Sequence, residues 1–157
     1  MALSVTDFRS AGFRIDAGIS DAVLNRSLTA AAVIAQDTIG DDARAAVSDI
    51  DAEGQFAYIV SGGTSADGRT LIGYDVAVYN IAYALLLRDN AFASVFGTTR
   101  KRDEYSENVE PADYARQWCA FGVTALHAVC RELVRVHLVE REQFRTVNVP
   151  MLAEQPF

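Results

Sequence analysis

Four groups of residues in this 157-residue chain have types and spacings that chemistry could use. Gly63-Thr64-Ser65-Ala66-Asp67-Gly68-Arg69-Thr70 has the glycine spacing of a phosphate-binding P-loop, follows a β-prone run over Phe56 to Val60 and precedes an apolar, helix-like segment. Arg69 stands where such a loop needs a lysine, a compact point charge that reaches the terminal phosphates, and a bulky guanidinium fork replaces it poorly. P-loop folds also need several parallel strands and a magnesium-holding acid at the end of another strand, whereas this chain offers one convincing strand. Nucleotide binding is disfavoured. The Gly-rich stretch 62–70 remains the seat of the alternative reading, a small helical ligand-binding protein or enzyme.

The other groups lead to less chemistry still. Asp49, Asp51, Glu53 and Gly54 occupy the first, third, fifth and sixth positions of a calcium-loop pattern, but its twelfth position, which requires a bidentate acid, is Val60. The acids read as a solvated cluster at a helix end. His127 and Cys130 lie three residues apart and His137 follows seven later, all on one predicted helix, and ligands from a single helix cannot surround an ion. No metal is expected. Asp75 is the one carboxylate in a strongly apolar segment, and such a residue more often pairs with a buried Tyr or Arg than performs acid–base catalysis. Ser, Cys and His fall into no nucleophile pattern. The sequence thus nominates no catalytic residue and no cofactor, and it is read as that of a non-enzyme.

The elements that must carry these residues follow from composition and periodicity. Half of the chain is hydrophobic and 22% is charged, which predicts a single domain with a real core. Ser20 to Ile39 places Leu24, Leu28, Ala31, Ala35 and Ile39 at helical steps, with Ser20 as N-cap and Gly40 past the end. Asp42 to Asp51 predicts a shorter helix closed by Gly54, and Phe56 to Val60 a short strand before a turn at Ser61 to Arg69. Leu71 to Arg88, with Tyr74, Tyr79 and Tyr83, is apolar on nearly every side and predicts the central helix; Asp75 and Asn80 argue against membrane insertion. Pro111 opens a last helix, ending near Glu140, whose apolar face carries Ala115, Trp118, Gly122, Ala125, Val129 and Leu133.

The fold class predicted is all-α: a small bundle of about four helices over residues 1–142 with a polar loop or short β-hairpin insertion. An extended C-terminal arm over 143–157 would use Phe144 and Phe157 to dock on a neighbour. Cys119 and Cys130, about 16 Å apart along a helix, are too distant for a disulfide and read as small buried hydrophobes. Met1 to Ser10 holds two charges and no apolar run, so a secretory signal is not expected and synthesis in a reducing cytoplasm is.

Charge then singles out one segment. The net charge is −7 and the pI near 4.7, a field that repels nucleic acid. Against it stand Arg100, Lys101 and Arg102, inside Phe96-Gly97-Thr98-Thr99-Arg100-Lys101-Arg102-Asp103-Glu104-Tyr105-Ser106, a polar connector between the two most apolar predicted helices. A loop held by packed helices at both ends presents its side chains in a nearly fixed geometry, which suits docking on another polypeptide.

From about Ile72 to Leu133 the order is an apolar Tyr-containing helix, Phe96-Gly97, the Thr/Arg/Lys cluster, Asp103-Glu104-Tyr105-Ser106 and a Trp-containing helix. This resembles the head-tail connector (adaptor) proteins of tailed phages and prophages, of the kind found near portal genes in Bacteroidetes phages. The resemblance covers roughly 60 residues and its motif is short. It implies a virion protein assembled in the host cytoplasm, a subunit of a homo-oligomeric ring that joins portal to tail and lets DNA pass without reading its sequence. Phe96, Arg100, Lys101, Arg102 and Tyr105 would contact the portal protein or neighbouring connector and tail subunits. It brings no catalytic residue, no cofactor and no membrane contact.

Overall fold

The structure is a computed structural model that describes residues 3–51, 53–89 and 111–140. Among them are six helices and one two-stranded hairpin, so the chain is mostly helical with a small β insertion. Ser4 caps α1 (Val5–Ser10), its hydroxyl accepting from the Asp7 N–H at 3.0 Å. Helix α2 (Asp21–Ile39) starts and stops where the sequence predicts. The Ser20 hydroxyl accepts from the Val23 N–H, Gly40 ends the helix at φ 84°, and the predicted stripe from Leu24 to Ile39 is buried.

Helix α3 (Asp41–Asp49) ends two residues short of the predicted Asp51. Ile50 turns extended, and the Asp51 carboxylate accepts from the Glu53 N–H at 3.0 Å, a local bond that competes with another helical turn.

The predicted strand at Phe56 to Val60 is instead a one-turn helix, α4 (Ala57–Ser61). Its consecutive residues Tyr58, Ile59 and Val60 are all buried, with α5 and α6 among its neighbours. Burial on more than one side outweighs the modest β preference of Ile and Val. The hairpin follows, with β1 (Gly63–Thr64) antiparallel to β2 (Thr70–Leu71) in the register Gly63 to Leu71 and Thr64 to Thr70. Its base is made by two glycines at φ +86° and +94°, Gly62 and Gly73. A Cβ on Gly62 would sit 2.3 Å from the Ile72 carbonyl oxygen, and one on Gly73 would sit 2.2 Å from the Gly62 nitrogen. Only glycine accepts both the left-handed backbone and that proximity.

Helix α5 (Tyr74–Asp89) begins three residues later than predicted, because Thr70 and Leu71 are spent on β2. Twelve of its sixteen residues are buried, including Asn80, which makes it the central rod. Helix α6 (Pro111–Arg135) starts at the predicted proline and runs antiparallel to α5. The Trp118 and Tyr83 rings meet at 5.3 Å, and Gly122 lies against Ala77 and Ile81. Helix α2 packs on both.

Rings join the first residues to this pair. Phe8 stacks on Tyr79 at 5.5 Å, Phe13 meets Tyr83 at 4.9 Å and Trp118 at 5.3 Å, and the Tyr83 hydroxyl donates to the Arg14 carbonyl at 2.9 Å. No described helix is long and apolar enough to cross a membrane.

A Cβ on Gly122 would fall 2.5 Å from Ile81 Cγ1 and 2.8 Å from the Ala77 carbonyl oxygen. The second atom is backbone and cannot step aside, so a side chain there must push the two helices apart. Gly122→Ala is expected to cost about 1–3 kcal/mol and to lower the melting temperature by several degrees in a thermal melt, despite alanine's better helix propensity.

Candidate functional site

The segment that matches a P-loop by spacing is built as something else. Its loop closes on itself: the Ser65 N–H donates to the Arg69 carbonyl at 2.8 Å, the Arg69 N–H to the Ser65 hydroxyl oxygen at 3.0 Å, and the Ser65 hydroxyl to the Asp67 carboxylate. A phosphate loop runs directly into a helix N-terminus. Here Thr70 turns into β2, and α5 opens only at Tyr74.

The loop is clamped onto the end of α6 by a five-residue polar knot. Glu132, 4% exposed, is its centre. The Tyr58 hydroxyl donates to Glu132 Oε1 at 2.7 Å, and Arg135 Nε donates to the same oxygen at 2.9 Å. Arg69 Nη1 stands 3.6 Å from Glu132 Oε2, while Asp67 Oδ2 lies 3.5 Å from Arg135 Nη1 and 3.7 Å from Arg69 Nε. Two guanidinium groups thus face two carboxylates, and the buried acid is matched on both oxygens, as its loss of water requires. Asp67 and Glu132 would both repel a phosphate arriving at Arg69. The hydrogen bond from Arg135 chiefly holds the Glu132 carboxyl below its usual range. Burial, with the Glu132 contact second, pushes the Tyr58 phenol up, and the Ser65 hydroxyl leads in lowering Asp67.

Sequence reading passed over Glu132. Its signal was there, because residue 132 falls seven after Ala125 and three after Val129, on the buried stripe of α6. An acid in such a place needs a partner.

Asp75 is the opposite case. Its Oδ1 is covered and meets no hydrogen-bond donor among the described residues, so that oxygen lacks the expected pairing with a buried Tyr or Arg. Burial, with the Asp7 charge adding to it, pushes the carboxyl up to about 6. Cys119 and Cys130 are buried free thiols, pushed by burial up to about 11 and about 12, which suits hydrophobic packing and leaves little nucleophilic thiolate. Among the described residues no three His, Cys, Asp or Glu side chains gather as metal ligands would, and Val60, the twelfth residue of the calcium-like pattern, is buried.

The predicted contact residues Phe96, Arg100, Lys101, Arg102 and Tyr105, and Phe144 and Phe157 of the arm, lie outside the described residues. The helices from which the cationic connector departs and to which it returns are described, and they are packed together over α5 and α6. No family model matches the chain, and no curated protein or solved structure does.

The two carboxylates should leave opposite marks on stability. Asp75 titrates in the folded chain at about 6 against an ordinary 3.8, so its ionisation opposes folding increasingly as pH rises through that interval. Asp75→Asn should therefore melt above the native chain at pH 7 and level with it near pH 4. Glu132 titrates below its ordinary 4.5, so its contribution is complete above that pH and fades as pH falls through the lowered value. Glu132→Gln should melt below the native chain at pH 7, the gap closing toward pH 3. Thermal melts of the three proteins across this range read both.

Proposed function

We propose that this chain is a structural subunit of a head-tail connector ring, joining a portal to a tail and forming part of the DNA passage. In this reading it is no enzyme. It is a helical bundle of about four helices that carries a hairpin insertion and an extended arm over 143–157, with the virion as its place of work. The observation that carries the reading is the seam between α5 and α6. The segment from 90 to 110, with Phe96, Arg100, Lys101, Arg102 and Tyr105, is tethered at Asp89 and Pro111 to two helices whose backbones approach as closely as Gly122 permits. A cationic element so anchored can offer its charges to acids on a portal rim or an adjacent subunit without first ordering its supports. The net charge of −7 supports the same role, since a duplex slides past an acidic wall to which it does not adhere. The order of features between Ile72 and Leu133 supplies the class of assembly, and the apolar residues Phe144 and Phe157 give the arm its contacts with the neighbouring subunit.

The test is the triple variant Arg100→Ala, Lys101→Ala, Arg102→Ala. Its unfolding free energy should stay within about 0.5 kcal/mol of the native chain's, as is usual for surface substitutions. Its association with the portal ring of the same particle, followed by co-sedimentation, should be lost. Undiminished association would count against the reading.

A further inference from the structure

One side of α2 is only partly covered, with Leu28 buried at its edge and Asn25, Thr29 and Val33 exposed. Asn25, Leu28, Thr29, Ala32, Val33 and Gln36 lie along it, and with α3, Tyr74 at the start of α5, and Leu3 they enclose an open cavity of about 380 Å³. That volume falls within the range of small-molecule sites, which combine an apolar wall with a few convergent polar groups. Leu28, Ala32 and Val33 supply the apolar part, and Val33 is 53% exposed.

The polar part has one sign. Arg44 is the single charged side chain among the described residues lining the cavity, in a molecule of net charge −7. Its neighbours have already committed protons: the Thr29 hydroxyl donates to the Asn25 carbonyl at 2.9 Å, the Ser48 hydroxyl to the Arg44 carbonyl at 3.0 Å, and the Gln36 amide to Asp41 at 3.0 Å. The Arg44 guanidinium stands beside the buried Tyr74 hydroxyl, while its Nε is shut off from solvent and has no acceptor among the described residues. A carboxylate in the cavity can instead take the Nη1 and Nη2 end of the guanidinium, one oxygen to each, in a charge-assisted pair.

We propose that the cavity between α2, α3 and the start of α5 binds a small monocarboxylate with an apolar body, the carboxylate on Arg44 and the body over Leu28, Ala32 and Val33. The proposal does not depend on the assembly reading.

Titration calorimetry on the full chain with sodium hexanoate tests it, with hexanamide as the uncharged analogue of the same shape. Hexanoate should bind at least tenfold tighter than hexanamide. Arg44→Gln should weaken hexanoate at least tenfold while leaving hexanamide alone. Val33→Trp, at an exposed position, should close the cavity to both. Circular dichroism reports whether each variant folds. If Arg44→Gln does not, the acid-to-amide ratio in the native chain and the Val33→Trp result decide. No binding of hexanoate, equal binding of acid and amide, or hexanoate binding that survives Val33→Trp overturns the proposal.

Discussion

Everything in this fold hangs on how closely α6 can approach α5. Gly122 leaves no side chain between the rods, so the α6 backbone comes down onto Ala77 and Ile81. Leu126, Val129, Cys130 and Leu133 are then buried on the same helix, and Leu85 and Leu86 on its partner. Each such aliphatic side chain removed from water contributes about 1.5–3 kcal/mol before the cost of ordering it. Close packing is what makes those contributions available, because dispersion falls away steeply once surfaces separate by even half an ångström. Helix α2 rests on this pair, and Phe8 and Phe13 reach it through Tyr79, Tyr83 and Trp118.

The hairpin is held differently. With two residues per strand it has almost no ladder of its own and would not persist alone. It stays because Gly62 and Gly73 bring its two ends into contact and because Arg69 and Asp67 are drawn into the charges around Glu132. Apolar packing therefore fixes the rods, and paired charges fix the insertion. The salt bridges at Asp67 and Arg69 involve half-exposed side chains and are weak singly. The strength of the knot lies in Glu132, whose burial makes the loss of any partner expensive.

Where local signals and burial agree, the chain can be read directly. Ser20, Gly40 and the stripe from Leu24 to Ile39 predict α2 because cap, stop and apolar spacing all describe one helix, and Pro111 opens α6 for the same reason. Reading fails where the deciding partner is distant in sequence. Tyr58 to Val60 is helical because of what buries it, and Glu132 is matched in part by Tyr58 and Arg69, 74 and 63 residues earlier. Gly63 and Gly68 suggest a phosphate loop by spacing, yet the glycine that shapes the hairpin base is the neighbouring Gly62, and the partner that explains it is Gly73, which that motif does not include. The candidate contact residues from Phe96 to Tyr105, and Phe144 and Phe157, stand outside the described residues, so for them sequence alone speaks.

The most direct test of the account is native-state hydrogen exchange, residue by residue, on the intact chain. If the α5–α6 seam is the support on which the rest depends, the amides of Val78 to Leu86 and of Cys119 to Cys130 exchange only through global unfolding, at one common free energy. The Ser65 amide of the hairpin, in an exposed loop, should open earlier. Amides of α5 that exchange faster than those of Ala31 to Ile34 in α2 would contradict the account.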